Sequence, residues 1–333
     1  MCSLPGVRGR NLLSLAAVLC ALASALVATG CGGGSDDPSR PAPAAAEFPS
    51  AKGKTIADLL HDSGAKPTNL VIAPAARVFD TGANRFPFGV FTAGQEQVSD
   101  ADVALYFARD GKSPVLGPLP AQVTSLETKP AYRASGEEPE SVEGLYSVPE
   151  VVFDRKGPWL AIAMLKGKNG LEVSRVPSLI VGDVPKVPDV GEKAPVVHTP
   201  TAADVGGEMA KIDTRVPPDQ MHEVDFADVV GKKPVVLVFA TPAFCQTRVC
   251  GPVVDVAQQV ADSYDGEAEF VHMEVFEDND PGKGIVPQMK AYGLITEPWT
   301  FLVDRKGIVR ERFEGAYGVS ELEEAMGTIV PAR

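Results

Sequence analysis

The sequence predicts two folded domains, an all-β sandwich followed by an α/β domain. Three observations carry that expectation. Between residues 68 and 182, short β-rich runs alternate with turns built from Gly, Pro, Asp, Asn and Lys. From about residue 201 to 333, continuous apolar runs alternate with segments of helical period. Between the two, residues 183–200 carry Pro185, Pro188, Pro195 and Pro200. Proline locks φ and removes a backbone donor, so this stretch reads as an extended linker. A length of 333 residues suits two domains.

The chain begins differently. Arg8 and Arg10 are the only charges before Asp36, and they precede the apolar run LLSLAAVLCALASALVAT at residues 12–29. A basic start, an apolar stretch and small residues before a cut describe a signal peptide over residues 1–30. A retained membrane anchor is the alternative, because 18 uncharged residues nearly span a bilayer. ALVATGC resembles a bacterial lipoprotein box. That resemblance implies acylation of Cys31, anchorage of the chain in the bacterial cell membrane through an N-terminal lipid, and a protein facing the extracytoplasmic side, the periplasm. GGGSDDPSRPAPAAAEFPS follows, and residues 31–67 read as a flexible tether without a core-forming pattern.

Loss of residues 1–30 leaves 29 basic against 44 acidic side chains, a net charge of −15. An acidic surface without a basic cluster argues against nucleic acid as a partner. The cut also removes Cys2 and Cys20, so with Cys31 acylated only Cys245 and Cys250 keep free thiol chemistry. An oxidising compartment favours a disulfide or a redox couple between such neighbours.

In the β-rich half the expected strands are TNLVIA, FPFGVFT, ADVALYFAR, GLYSVPEVVF, WLAIAML and LEVSRVPSLIVG. FGVFTAGQEQVSDADVALYFAR reads as strand, turn and strand. YSVPEVVFDRKGPWLAIAML reads as a hairpin whose second arm begins at Trp159. The pattern suggests an antiparallel sandwich and resembles immunoglobulin-like modules, which implies a fold and no activity. No cysteine, histidine or catalytic motif falls in residues 68–182, so a spacer or binding module is expected there.

In the second half KPVVLVFATP reads as a strand buried on both faces. PVVDVAQQVADSY repeats Val253, Val256, Val260 and Tyr264 at helical spacing. EFVHMEVF is a second buried strand, and MKAYGL a short helix closed by Gly293. WTFLVDRKGIVRERFEG is a hairpin turning at Asp304–Gly307. SELEEAMGTIV is a helix with Ser320 as N-cap and Glu323 completing a capping box. The order places helices on both sides of one sheet.

FATPAFCQTRVCGPVV holds the two cysteines at the mouth of the expected helix. A helix N-terminus presents unpaired N–H groups and a positive dipole end, which favour a thiolate. Pro252 suits the first turn, and Arg248 adds positive charge between the thiols. Four intervening residues make a loop that a disulfide closes with ease.

VVLVFATP before a cysteine pair, CGPVVDVAQQVADSY, and AYGLITEPWTFLVDRKGIVRERFEG together resemble the thioredoxin-like superfamily over about 110 residues. VGEKAPVVHTP is similar to the entry segment of its membrane-anchored and peroxiredoxin branches. The resemblance implies a cis-proline at Pro298, whose loop lies against the disulfide with the Glu297 backbone free to pair with a partner. It also implies thiol–disulfide exchange with extracytoplasmic proteins carrying thiols or disulfides, using Cys245, Cys250, Pro298 and Arg248 and no cofactor.

The chain departs from the family pattern. Four residues separate the cysteines where the family has two, and Phe244 stands where it has Trp. Cys245 aligns with the usual nucleophile if the loop is an insertion. Alternatively CGPV matches CGPC with Val253 replacing the second cysteine, which makes Cys250 the attacker. Glu297 near a thiolate would raise its pKa. A structural disulfide on an inactive interaction domain is the competing reading. Two further readings are a peroxidase, because Thr247-Arg248-Val249-Cys250 resembles the peroxiredoxin T-x-x-C, and a copper-delivery protein. His272 reads as a satisfied core histidine, and His198 and His222 as loop or edge residues. With neither a C-x-x-C pair nor H-E-x-x-H, no metal site is expected. The acidic run Glu277–Gly282 reads as a solvated turn, and Trp299 as core or site rim.

Overall fold

The computed structural model describes residues 39–135, 144–167, 170–182, 186–245 and 248–331. The expected signal peptide and Cys31 lie outside them. Asp37–Arg333 form one compact unit, in which a β-rich part is followed by an α/β part.

The β-rich part stacks two sheets. One has the order β1 (Lys66–Pro67), β9 (Gly170–Val181), β8 (Gly157–Gly167), β4 (Asp102–Ala108), β5 (Leu116–Pro120). The other runs β2 (Val71–Pro74), β3 (Gly82–Phe91), β7 (Gly144–Phe153), β6 (Gln122–Ser125). Alternate residues of both sheets meet in one core: Phe86 and Phe88 of β3 and Phe153 of β7 face Leu105 and Phe107 of β4 and Trp159 and Ala163 of β8. Phe107 and Phe153 meet edge to face at 5.5 Å, a favoured aromatic geometry.

Two expectations need correction here. The stretch expected to form a hairpin, β7–β8, places its two strands in different sheets, and the strand, turn and strand of β3–β4 likewise cross from one sheet to the other. An arch between sheets and a hairpin within one carry the same period of two, so alternation cannot separate them. The expected flexible tether is also folded from Ser39 onward. Within it α1 (Ile56–Ser63) is capped by Thr55, whose side chain accepts from Asp58 N–H while Asp58 answers in return, and ends at Gly64 with φ +63°. Phe48, Ala51 and Leu59 bury against Ala104, Tyr106, Ile162 and Met164. The reason lies in β4, which is apolar on both faces. Its outer face needs a cover, and the chain's own N-terminal segment supplies it.

The α/β part contains α2 (Phe226–Val229), β10 (Val235–Phe239), α3 (Cys250–Ser263), β11 (Glu269–Met273), α4 (Pro287–Ala291), β12 (Trp299–Val303), β13 (Val309–Glu314) and α5 (Val319–Met326). The sheet order is β11-β10-β12-β13, with β10 and β11 parallel and the other pairs antiparallel. Every residue of β10 is fully buried, as its unbroken apolar sequence demands. Val236 and Val238 join the core of α3 and α5, while Val235, Leu237 and Phe239 join that of α2 and α4. Helices thus lie on both faces of one four-stranded sheet, as the sequence predicts.

The expected linker is packed rather than free. Val187, Ala194 and Val197 are buried in the α2/α4 core, and the N–H groups of Gly191 and Ala194 donate to Val309 O (2.8 Å) and Gly307 O (2.9 Å). Proline suits such an edge segment because fewer ladder donors are needed there. Ser320 is the second residue of α5, and Gly318 holds the N-cap position. A Cβ at Gly318 would overlap the Ser125 carbonyl oxygen and Thr124 Cγ2, so β6 excludes a side chain there. The two parts of the molecule are further joined by Arg85, which forks onto Glu321 at 2.6 and 2.9 Å and donates to Ala316 O at 2.8 Å.

Candidate redox site

Cys250 is the first residue of α3, with Gly251 and Pro252 completing its opening turn. Cys245 leaves a 3-10 turn at Pro242–Phe244. The two form a disulfide with Cα atoms 5.9 Å apart, within normal bridging range. Their exposures differ. Cys250 is fully buried in the α3/α5 core, and Cys245 is half-buried at its edge. The Cys250 N–H donates to Cys245 Sγ at 3.3 Å. An orphan donor of the helix N-terminus is therefore aimed at the more accessible sulfur. Val253, at the second cysteine of the C-G-P-C pattern, is a fully buried core residue.

Arg248 is exposed and turns the chain into α3 through φ +58°, a left-handed conformation uncommon outside glycine. Gln246 and the Thr247 of the peroxiredoxin-like T-x-x-C lie outside the described residues. Phe244 is 39% exposed and meets Phe276 edge-on, leaving an apolar rim beside Cys245.

The Glu297–Pro298 peptide is cis. Phe239 pairs with Trp299 in the antiparallel ladder, so continuing the register sets Pro298 beside Ala240, five residues before Cys245. The Glu297 N–H and C=O make no hydrogen bond among the described residues. Burial pushes the Glu297 carboxyl above its ordinary pKa. Trp299 belongs to the core, 2% exposed, with its indole N–H donating to Thr296 Oγ1.

Behind the turn that leads to Cys245 lies a buried polar cluster. The Ala243 N–H donates to Thr214 Oγ1 at 3.1 Å, which ties the cysteine turn to segment 213–222. His272, in β11, donates from Nδ1 to Asp219 Oδ2 at 2.7 Å and from Nε2 to Ala240 O at 3.1 Å. With acceptors on both nitrogens the ring is an imidazolium. Burial would lower its pKa, but the charge and hydrogen bond of Asp219, with Asp213 and Glu274 nearby, push it up to about 10. Asp219 is held below its ordinary value: burial opposes ionisation, and the His272 charge outweighs it. Asp213 is pushed up by burial. His222 is lowered to about 4, first by burial and then by the His272 charge. Arg215, 3% exposed, donates to Asp255 of α3 at 2.8 Å and to the Tyr132 carbonyl at 2.6 Å, so a loop of the β-rich part also meets this network.

Sequence reasoning anticipated a disulfide between Cys245 and Cys250 and a cis peptide at Pro298, and missed this cluster. His222 does sit in a turn, as expected, but is 2% exposed rather than at an edge. His198 is exposed beside Asp225. The available signal was His272 itself. A histidine inside an otherwise apolar buried strand requires a buried partner, and Asp213 and Asp219 are among several acidic residues that precede β10.

No family model matches the chain, and no curated protein matches it. Solved structures similar to it include a candidate thiol:disulfide interchange protein DsbE from Chlorobium tepidum. Its sequence identity is 20% and its TM-score 0.29, over 42% of this chain and 96% of that one.

Proposed function

We propose that this protein exchanges disulfides with extracytoplasmic proteins through the Cys245–Cys250 couple, as a lipid-anchored lipoprotein acylated at Cys31. The observation that carries the reading is the contrast between the sulfurs. Cys245 is reachable and accepts the first N–H of a 14-residue helix, while Cys250 is sealed beneath it.

In the reduced protein the Cys245 thiolate attacks one sulfur of a partner disulfide and expels the other as thiolate, forming a mixed disulfide. The Cys250 thiolate then attacks Cys245 Sγ, releases the second partner thiolate and closes the Cys245–Cys250 bond. Two electrons pass to the partner, and the reverse sequence oxidises a partner dithiol. The N–H groups at the start of α3 stabilise the negative charge on Cys245 before attack. The backbone of Glu297, at the cis-proline loop, is free to pair with the partner's extended chain.

Trapping tests this directly. Cys250→Ser is expected to accumulate a covalent adduct with a disulfide-containing protein such as insulin, linked through Cys245 and released by reductant. Cys245→Ser should trap nothing. An adduct on Cys250, or none with either variant, would overturn the assignment. Metabolic labelling with palmitate, lost in Cys31→Ala, tests the anchor.

A further inference from the structure

We propose that Asp213, Asp219, His222 and His272 form a binding site for a divalent first-row metal ion of the zinc type, behind the cysteine turn. One ligand atom from each lies within 4.8 Å of the others, and all four residues are buried.

The donor geometry supports an ion rather than a closed hydrogen-bond network. His222 Nε2 lies 3.7 Å from Asp213 Oδ2 and 3.6 Å from Asp219 Oδ1, too far for hydrogen bonds. Neither His222 ring nitrogen makes a well-formed hydrogen bond among the described residues, although the residue is 2% exposed; the Pro200 carbonyl is the backbone acceptor near the ring, and Nε2 faces the two carboxylates. A ring nitrogen sealed from water and facing carboxylates without a hydrogen bond is costly, and a bound ion removes that cost. Tetrahedral ligands at about 2.0–2.2 Å from zinc lie about 3.4 Å apart; the set of one atom per residue, within 4.8 Å, draws in around the ion through small side-chain rotations. His272 Nδ1 is 4.0 Å from Asp213 Oδ1 and 2.7 Å from Asp219 Oδ2. There the ion takes the place of the imidazolium proton.

Neighbouring groups orient the ligands as outer partners do in metal sites. The Ala240 carbonyl accepts from His272 Nε2 and leaves Nδ1 facing the carboxylates. Asp213 accepts from Arg215 N–H and Asp219 N–H at 2.8 and 2.7 Å, and Asp219 Oδ1 accepts from Met221 N–H at 2.7 Å. Each oxygen keeps a lone pair for a metal. Two carboxylates and two neutral imidazoles balance a charge of +2, which suits a dry site. Two nitrogen ligands disfavour calcium and magnesium, and the absence of sulfur disfavours Cu(I). Because the ligands are sealed, the ion enters as the chain folds.

The test uses the full chain and Zn2+ or Co2+ alone. Wild type, as isolated or after unfolding and refolding with Zn2+, is expected to retain one Zn2+ per chain through desalting. The Cys245→Ser/Cys250→Ser variant should retain the same amount, and His222→Ala should bind at least about 100-fold more weakly. Co2+-loaded wild type should show visible bands of four-coordinate cobalt without a thiolate charge-transfer band, a readout that does not depend on any variant folding. Absence of stoichiometric Zn2+ from wild type under both preparations would overturn the site. So would thiolate character in the cobalt spectrum, or undiminished binding in folded His222→Ala.

Discussion

The β-rich and α/β parts bury their residues on different terms. The sandwich core is assembled from rings and aliphatic chains, and its buried polar groups are hydroxyls such as Ser147 and Ser174. Every buried charged or histidine side chain among the described residues belongs to the α/β part: Asp213, Arg215, Asp219, His222, Asp255, His272 and Glu274. Stability alone does not favour that, since well-packed apolar residues hold a fold at least as well as buried ions. The difference is one of construction: apolar packing in one part, buried ionisable groups in the other.

Two substitutions of similar cost should break that contrast most sharply. Phe153→Ala, in the sandwich core, is expected to cost about 3–5 kcal/mol. Asp219→Ala strands the His272 imidazolium and is also expected to cost about 3–5 kcal/mol. Their pH dependence should separate them. The His272 pKa rises from 6.5 to about 10 on folding, so the native state holds the extra proton between those values. In metal-free protein its contribution is full below pH about 6.5 and is lost as pH climbs through about 10. Urea titrations should show this slope in wild type and Phe153→Ala, and a flattened one in Asp219→Ala.

Arg85→Ala removes the forked ion pair between the parts and is expected to cost about 1.5–3 kcal/mol. A single unfolding transition that splits into two would show that Arg85 couples them. Loss of the disulfide in Cys245→Ser/Cys250→Ser should cost about 2 kcal/mol, because the closed loop is short. Glu297→Gln should have the smallest effect. The Glu297 pKa is raised by burial, so its folded form favours the proton and its contribution declines as pH rises past 4.5 through the raised value. The variant should lose that decline, a change resolvable by thermal melts at several pH values.

Much of the α/β part was legible because its signals are local. β10 is an unbroken apolar run, α3 has a helical repeat opened by Cys-Gly-Pro, and Pro298 sits in a recognisable loop. The β-rich part was legible as strands but not as connections, since the turn after Phe153 looks the same whether it closes a hairpin or crosses between sheets. The segment around Leu59 was misjudged because its composition is polar and its role depends on an uncovered sheet face far along the chain. The buried cluster was hidden for a related reason: His272 meets Asp219 across 53 residues, and no short spacing announces the pair.

The reduction potential of the Cys245–Cys250 couple, measured by equilibration with glutathione buffers, tests the proposed exchange most directly. A couple that trades electrons with partner proteins should lie between about −120 and −270 mV. A value below about −300 mV, that of a bond no partner can open, would make this disulfide a staple and contradict the account.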